Sequence, residues 1–299
     1  MMMMRRIRAW GPGLVLILPS LIALAIFVYG FLGWNIRVSL SSWRGLAPAH
    51  DFVGLANYAA LWDDLRFTRF DVPNIALFTV VFVAGSLALG FALAALLERS
   101  LPGEHAFRSI YLFPMAISFI ATAIIWRWLL DNGDGESTTG INKLLADAGL
   151  GWRSDWFKSG SRWAITAIAL PAGWSLSGYV MSLFLAGMRG VPDELREAAR
   201  VDGASEPRVF WHVVRPMLLP VLMSAVVILA HISLKTFDLF YAMDQKNLKI
   251  DTPALYMWFT TFDGGFYARG AAIAALLLLG VATVIVPYIW YSVRAERPR

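Results

Sequence analysis

The side chains best equipped for chemistry fall in three groups. The first is Glu197-Ala198-Ala199, followed after three residues by Gly203, inside a charged stretch between Val191 and Met217. The second is Trp174, Ser175, Ser177 and Tyr179, within an otherwise apolar run, and the third is His231, Ser233, Lys235, Thr236 and Asp238, at the end of another. None of these is a catalytic set. The sequence holds no phosphate-cradling P-loop, no Gly-x-Ser-x-Gly and no His-Glu-x-x-His, so the chain is not expected to hydrolyse ATP or act as an enzyme. It has no Cys to ligate a metal as thiolate, and no clustered His, Asp and Glu set. The second and third groups can recognise solutes instead. Hydroxyls that hydrogen-bond beside aromatic faces are the mixture that binds sugars. Hydrogen bonding between helices accounts equally well for any one of these residues. His231 with Asp238 could relay protons, and Lys235 with Asp238, three apart, could pair on one helix face.

Such groups need a scaffold, and the composition names its solvent. Of 299 residues 58% are hydrophobic and 16% charged, with a mean hydropathy of +0.59. Soluble domains carry about 45–50% apolar and about 25% charged residues. This much apolar surface cannot be hidden in a soluble fold of this size, so lipid is the solvent for much of it. The 13 Trp and 19 Phe fit the aromatic belts at bilayer interfaces. The formal charge of +5 comes with no basic stripe or recognition motif, and nucleic acid is not expected as a partner.

Six runs near the roughly 20 apolar residues that a bilayer demands are read as spans: 14–31, 74–97, 110–130, 163–187, 217–234 and 270–293. The expectation is a single all-α, polytopic domain over 1–299. Arg5, Arg6 and Arg8 before the first run imitate a secretory leader, but the run is long for one and an uncleaved span is expected. Lys and Arg are densest in the short connections, at Arg99, Arg108, Arg189–Arg215 and Arg294–Arg299, while the other loops are longer and acidic. The positive-inside rule then puts both termini in the cytoplasm of a multi-pass cell-membrane protein. Pro19, Pro171 and Pro287 are expected to kink their spans. Ser86, Gly90 and Ala94 form a small-residue ladder suited to close helix packing, within the chain or against another subunit. Arg127 is expected to snorkel outward.

The connection 188–216 reads as two short helices and a turn. Pro192 suits a first helical position, Asp193 and Glu194 the positive end of the helix dipole, and Gly203 a left-handed stop. Ser205 suits a second N-cap, and Pro216 and Pro220 mark the start of the next span. Leu195, Ala198 and Ala199 form a small smooth face ringed by Glu194, Arg196 and Arg200. The residues alone leave two uses open: docking to another protein, or lying on lipid.

The spacing Glu197-Ala198-Ala199, three residues, Gly203, nine residues, Val213-Val214-Arg215-Pro216 resembles the EAA loop of binding-protein-dependent ABC importer permeases. Its ending departs from the usual Ile-x-Leu-Pro, with Val213 for Ile and Arg215 for Leu. The similarity runs through Gly54–Tyr58, Phe107–Pro114, Ile124–Leu129 and Gly270–Ala274 to carbohydrate permeases of the maltose-transporter type. Ala230–Leu239 is most similar to glucose/mannose-type permeases. The resemblance implies a type I importer permease fold and half of the translocation pathway of an ATP-driven sugar importer. Glu197, Ala198, Ala199 and Gly203 would form the coupling element, and Trp174, Ser175, Tyr179, Ser233 and Thr236 the solute path. The implied partners are a second homologous permease, two ATPase subunits that bind the ATP and Mg, and an extracytoplasmic solute-binding protein, with membrane lipid around them. An ion-coupled secondary transporter is the alternative.

Overall fold

The computed structural model describes residues 16–49, 51–98, 102–133, 138–151, 153–161 and 163–295. Arg5, Arg6, Arg8, Arg99, Arg297 and Arg299, and the beginning of the first span, lie outside them. The described chain is helical throughout, relieved by one isolated bridge between Ser41 and Phe52. In order the helices are α1 (Leu16–Ser39), α2 (Ala56–Asp63), α3 (Phe67–Leu97), α4 (Glu104–Ala116), α5 (Phe119–Leu129), α6 (Gly140–Asp147), α7 (Ala164–Arg189), α8 (Asp193–Val201), α9 (Glu206–Lys235), α10 (Asp238–Asp244), α11 (Pro253–Trp258) and α12 (Tyr267–Ala295). Five of them, α1, α3, α7, α9 and α12, are each long and apolar enough to cross a bilayer, and the count is six when the bent pair α4 and α5 is taken as one broken span. The expected architecture of about six spans is therefore present.

The third span departs from the continuous helix expected over 110–130. It bends by 100° between α4 and α5. Pro114 sits in a tight turn over Phe113–Ala116, Ile117 is extended, and Ser118 caps α5 by accepting from the Ala121 amide at 3.2 Å. A proline that cannot donate and a capping serine thus stop one helix and start another. By contrast, Pro171 and Pro287 lie inside continuous helices. The fifth span also starts earlier than expected: the second short helix of 188–216 is its first turn. A π-turn over Phe210–Val214 leads into Pro216, as one over Phe67–Asp71 leads into Pro73. Widening the helix before a proline relieves the clash with the preceding turn, so the helix continues.

The chain packs as two units, one within residues 1–63 and 257–276 and the other within 64–256 and 277–299. In the first, Asn35 donates to the Ala271 carbonyl at 3.1 Å, Ser39 Oγ lies 2.7 Å from Tyr58 Oη, and Asn57 donates to the Ser39 and Ser41 carbonyls at 2.9 Å. The second is built on α7, of whose apolar window 67% is buried, against 33% for α3 and 28% for α9. The small-residue ladder explains how closely α3 approaches α7. A Cβ on Gly90 of α3 would stand 2.5 Å from Val180 Cγ1 on α7, and Gly173 lies against Ser86. The ladder packs within the chain. Phe78 stacks on Phe82 at 5.5 Å and meets Phe240 edge-on at 4.9 Å, closing the core between α3 and α10.

Candidate coupling surface and solute path

Helix α7 ends at Arg189, and after three residues, Gly190 to Pro192, α8 begins at Asp193. Pro192 is its N-cap, one position before the first helical residue, with extended ψ of 131°. Asp193 and Glu194 occupy the first turn, where the helix dipole favours negative charge. At the other end Gly203 has φ of 80°. The Gly203 amide bonds the Arg200 carbonyl at 3.0 Å and the Ala204 amide bonds the Ala199 carbonyl at 2.9 Å. Together these form a complete Schellman stop, and they require a residue at ease in the left-handed region. Ser205 holds the N-cap position of α9, but its hydroxyl makes no capping bond. The junction is held by charge instead. Arg200 Nε donates to Glu206 Oε1 at 2.7 Å and its Nη2 to Oε2 at 3.3 Å, which raises the Arg200 pKa further.

This geometry leaves Glu197 and Ala198 exposed and Ala199 half-buried, with Gly203 open on the turn. The exposed apolar row runs Leu195, Ala198, Val201 at helical spacing, and Val201 is 86% exposed. Val201 was not part of the face expected from sequence, although its place three residues beyond Ala198 was legible. On the inner side Arg196 Nη2 lies 2.8 Å from Glu98 Oε1 and donates to the Met188 carbonyl at 2.7 Å. Arg189 Nη2 lies 2.8 Å from Glu104 Oε1 and donates to the Leu97 carbonyl at 3.2 Å.

The solute-path candidates are held by helix–helix contacts. Trp174 is half-buried with its ring 6.1 Å from Trp126, and Tyr179 is half-buried on the same helix. Ser175 is buried, 3.5 Å from Thr122 Oγ1 on α5, and Ser177 donates to the Trp174 carbonyl. Ser233 is fully buried, donates to the Ala230 carbonyl and sits 2.8 Å from Thr79 Oγ1 on α3. Thr236 donates to the Ile232 carbonyl at 2.8 Å. Each of the hydroxyls on Ser175, Ser233 and Thr236 is therefore engaged by its own or a neighbouring helix. Lys235 donates from Nζ to His231 Nε2 at 3.2 Å rather than pairing with Asp238. The reason is local: α9 ends at Lys235, Thr236 is extended, and Asp238 starts a new helix. Arg127 donates to the Ala242 carbonyl and borders a depression of about 680 Å³ with Asp131 and Lys158. There Lys158 Nζ, 3.0 Å from Asp131 Oδ1, lowers the Asp131 pKa.

Two acids of the connections between the expected spans are buried. Asp71 is 0% and Asp251 2% exposed. Arg66 Nε meets Asp251 Oδ2 at 2.6 Å, the Thr252 amide donates to Oδ1 at 2.9 Å, and Asn74 donates to the Asp251 carbonyl. Both Asp71 oxygens lack a hydrogen-bond donor. Burial holds the Asp251 carboxyl above its ordinary range, against the pull of Arg66. Among the described residues no three His, Asp or Glu side chains are grouped to hold a metal ion.

A helical chain with five apolar crossings, a sixth broken one and an exposed helix–glycine–helix connection between two of them defines a polytopic membrane transport subunit. Residues 86–294 match the family described as "Binding-protein-dependent transport system inner membrane component", and the chain belongs to that family. It is the inner-membrane permease component of an ABC import system. A probable ABC transporter permease of Pyrococcus horikoshii is 38% identical over 285 residues, 95% of this chain and 96% of that protein. The xylose/arabinose import permease of Haloferax volcanii is 34% identical, covering 95% of this chain and 86% of its own. The glucose import system permease of Saccharolobus solfataricus is 29% identical over 92% and 94%. A bacterial ABC transporter involved in import of the polysaccharide alginate contains a chain that superposes with a TM-score of 0.81 at 18% identity, covering 99% of this chain and 100% of that one. That likeness shows the fold.

Proposed function

We propose that the whole chain acts as one permease domain, lining half of the pathway of an ATP-driven sugar importer and driven by a separate ATPase through α8. The observation that carries the coupling role is the exposed row Leu195, Ala198, Val201 beside Glu197, on a helix stopped rigidly at Gly203. Small side chains permit close docking, Glu197 offers a charge for a cation of the partner, and Gly203 fixes the angle at which α9 leaves. The sugar class is supported by the xylose/arabinose and glucose import permeases among the relatives. The density of Arg around 188–216 supports a cytoplasmic position for that connection and for both termini.

The assembly needs a second, similar permease, two ATPase subunits that hold ATP and Mg, and a solute-binding protein outside. Within the pathway, Trp174 and Tyr179 present aromatic faces that remain partly open. Ser175, Ser233 and Thr236 fix the register of the helices beneath them. Uptake of xylose, arabinose and glucose into vesicles carrying the full complex tests this reading. Uptake that requires internal ATP and survives an uncoupler supports it. Uptake that collapses with the uncoupler while ATP remains identifies an ion-coupled carrier instead.

A further inference from the structure

The end of α3 and the start of α4 are joined to α8 and the end of α7 by two ion pairs. Arg196, on the inner face of α8, reaches Glu98 at 2.8 Å, directly after the last turn of α3. Arg189, in the last turn of α7, reaches Glu104 at 2.8 Å, in the first turn of α4. Both members of the second pair sit where the helix dipoles favour them, a cation at a C-terminus and an acid at an N-terminus. Arg196 and Glu104 are largely enclosed, with side chains 17% and 16% exposed. The first pair is held by charge at close range rather than by aligned hydrogen bonds: Glu98 Oε1 and Arg196 Nε are buried without an aligned partner. Such a contact resists separation yet allows the groups to turn against each other.

Helix α4 continues the connection inward. Its Tyr111 carbonyl presses on Gly178 of α7, where an added Cβ would stand 2.0 Å away, and three residues later Pro114 begins the bend into α5. A displacement of α8 therefore has two routes into the bundle: along α9 through Arg200–Glu206, and sideways through Arg196–Glu98 and Arg189–Glu104 into α3 and α4. From this arrangement we infer that Arg196 and Arg189, with Glu98 and Glu104, are positioning residues that carry movement of the docked helix to the broken third span. The inference rests on the proposed role of α8 in coupling. The pairs leave Glu197, Ala198 and Val201 free to meet a partner, because Arg196 projects from the opposite side.

The test uses the complete complex in vesicles, with ATP hydrolysis and solute uptake measured together. Arg196→Glu and Glu98→Arg, made singly, are expected to keep the ATPase bound and hydrolysing. Solute moved per ATP should fall by about tenfold, within the range of about 2- to 30-fold for mutations along a coupling route. Combining the two reverses the pair and is expected to restore the ratio to within about twofold. Arg189→Glu with Glu104→Arg provides an independent pair, read the same way if the first assembles poorly. Hydrolysis and uptake falling in equal proportion would mark these contacts as merely structural. Neither swapped pair restoring the ratio, in complexes that still hold the ATPase, would likewise overturn the inference. A wild-type chain that binds no ATPase contradicts the coupling role itself and this inference with it.

Discussion

The carbonyl of Tyr111 lies against Gly178 so closely that a methyl group there would approach its oxygen to 2.0 Å. The obstacle is backbone on α4, which cannot swing aside as a side chain can. Gly178→Ala is expected to destabilise the solubilised protein by about 1–3 kcal/mol, the cost of overpacking a filled site. Tyr111→Ala should give no rescue, because the clash does not involve the ring. Thermal melts of the single and double variants check both statements, and a rescued double variant would contradict the contact.

The stop at Gly203 predicts a graded series. With φ of 80°, alanine there should cost about 1–2 kcal/mol of local stability, and asparagine less, since it tolerates the left-handed region. Gly203→Ala is therefore expected to weaken ATPase binding more than Gly203→Asn, with membrane insertion unchanged in both. Equal binding by all three would mean that the turn does not set the docking geometry.

Ala198 lies in the middle of the exposed row Leu195, Ala198, Val201. Ala198→Trp is expected to abolish uptake while leaving the amount of membrane-inserted chain as in the wild type. Solute-stimulated ATP hydrolysis at the normal rate in that variant would remove α8 from the coupling path.

Asp251 predicts a pH dependence. Its carboxyl is held above the ordinary range by burial, so the native state binds this proton more tightly than the unfolded chain. That stabilisation is fully present below the unfolded carboxylate value of about 4 and is lost as pH rises through the raised native value. The wild-type melting temperature should accordingly fall as pH is raised above about 4. Asp71, fully buried without a donor, faces the same cluster. Asp71→Asn keeps the shape of the buried carboxyl, cannot ionise and supplies donors, and should raise stability near neutral pH by about 1–3 kcal/mol. The same change should flatten the pH dependence. A destabilised variant with an unchanged slope would contradict this account of the cluster.

Much of the molecule was legible because its strongest signals are local. Apolar runs of bilayer length marked the spans, and a glycine closing a short charged helix marked the stop at Gly203. The run 110–130 is apolar along its length, and hydropathy alone does not show that one helix stops at Pro114 and another starts at Ser118. The early start of the fifth span was missed because Pro216 reads as a boundary, whereas a π-turn over Phe210–Val214 leads the helix into it. Asp71 and Asp251 looked like loop acids, since nothing local tells that Arg66 and Asn74 enclose Asp251. Arg196 likewise looked like one of several surface charges around α8; its partner Glu98 is distant in sequence. The hydroxyls of Ser175, Ser233 and Thr236 have the chemistry of a solute site, and residue type alone does not reveal that each also bonds its own or a neighbouring helix.

The coupling role of α8 is tested most directly by capturing the solubilised chain from its own membranes and weighing what comes with it. Wild type, Glu197→Ala and Gly203→Pro would be compared by mass spectrometry. The account predicts an ATPase with the wild type, at markedly lower yield with both variants, while the second permease remains bound to all three. Recovery of the chain without an ATPase from every preparation, or equal recovery from all three, would contradict it.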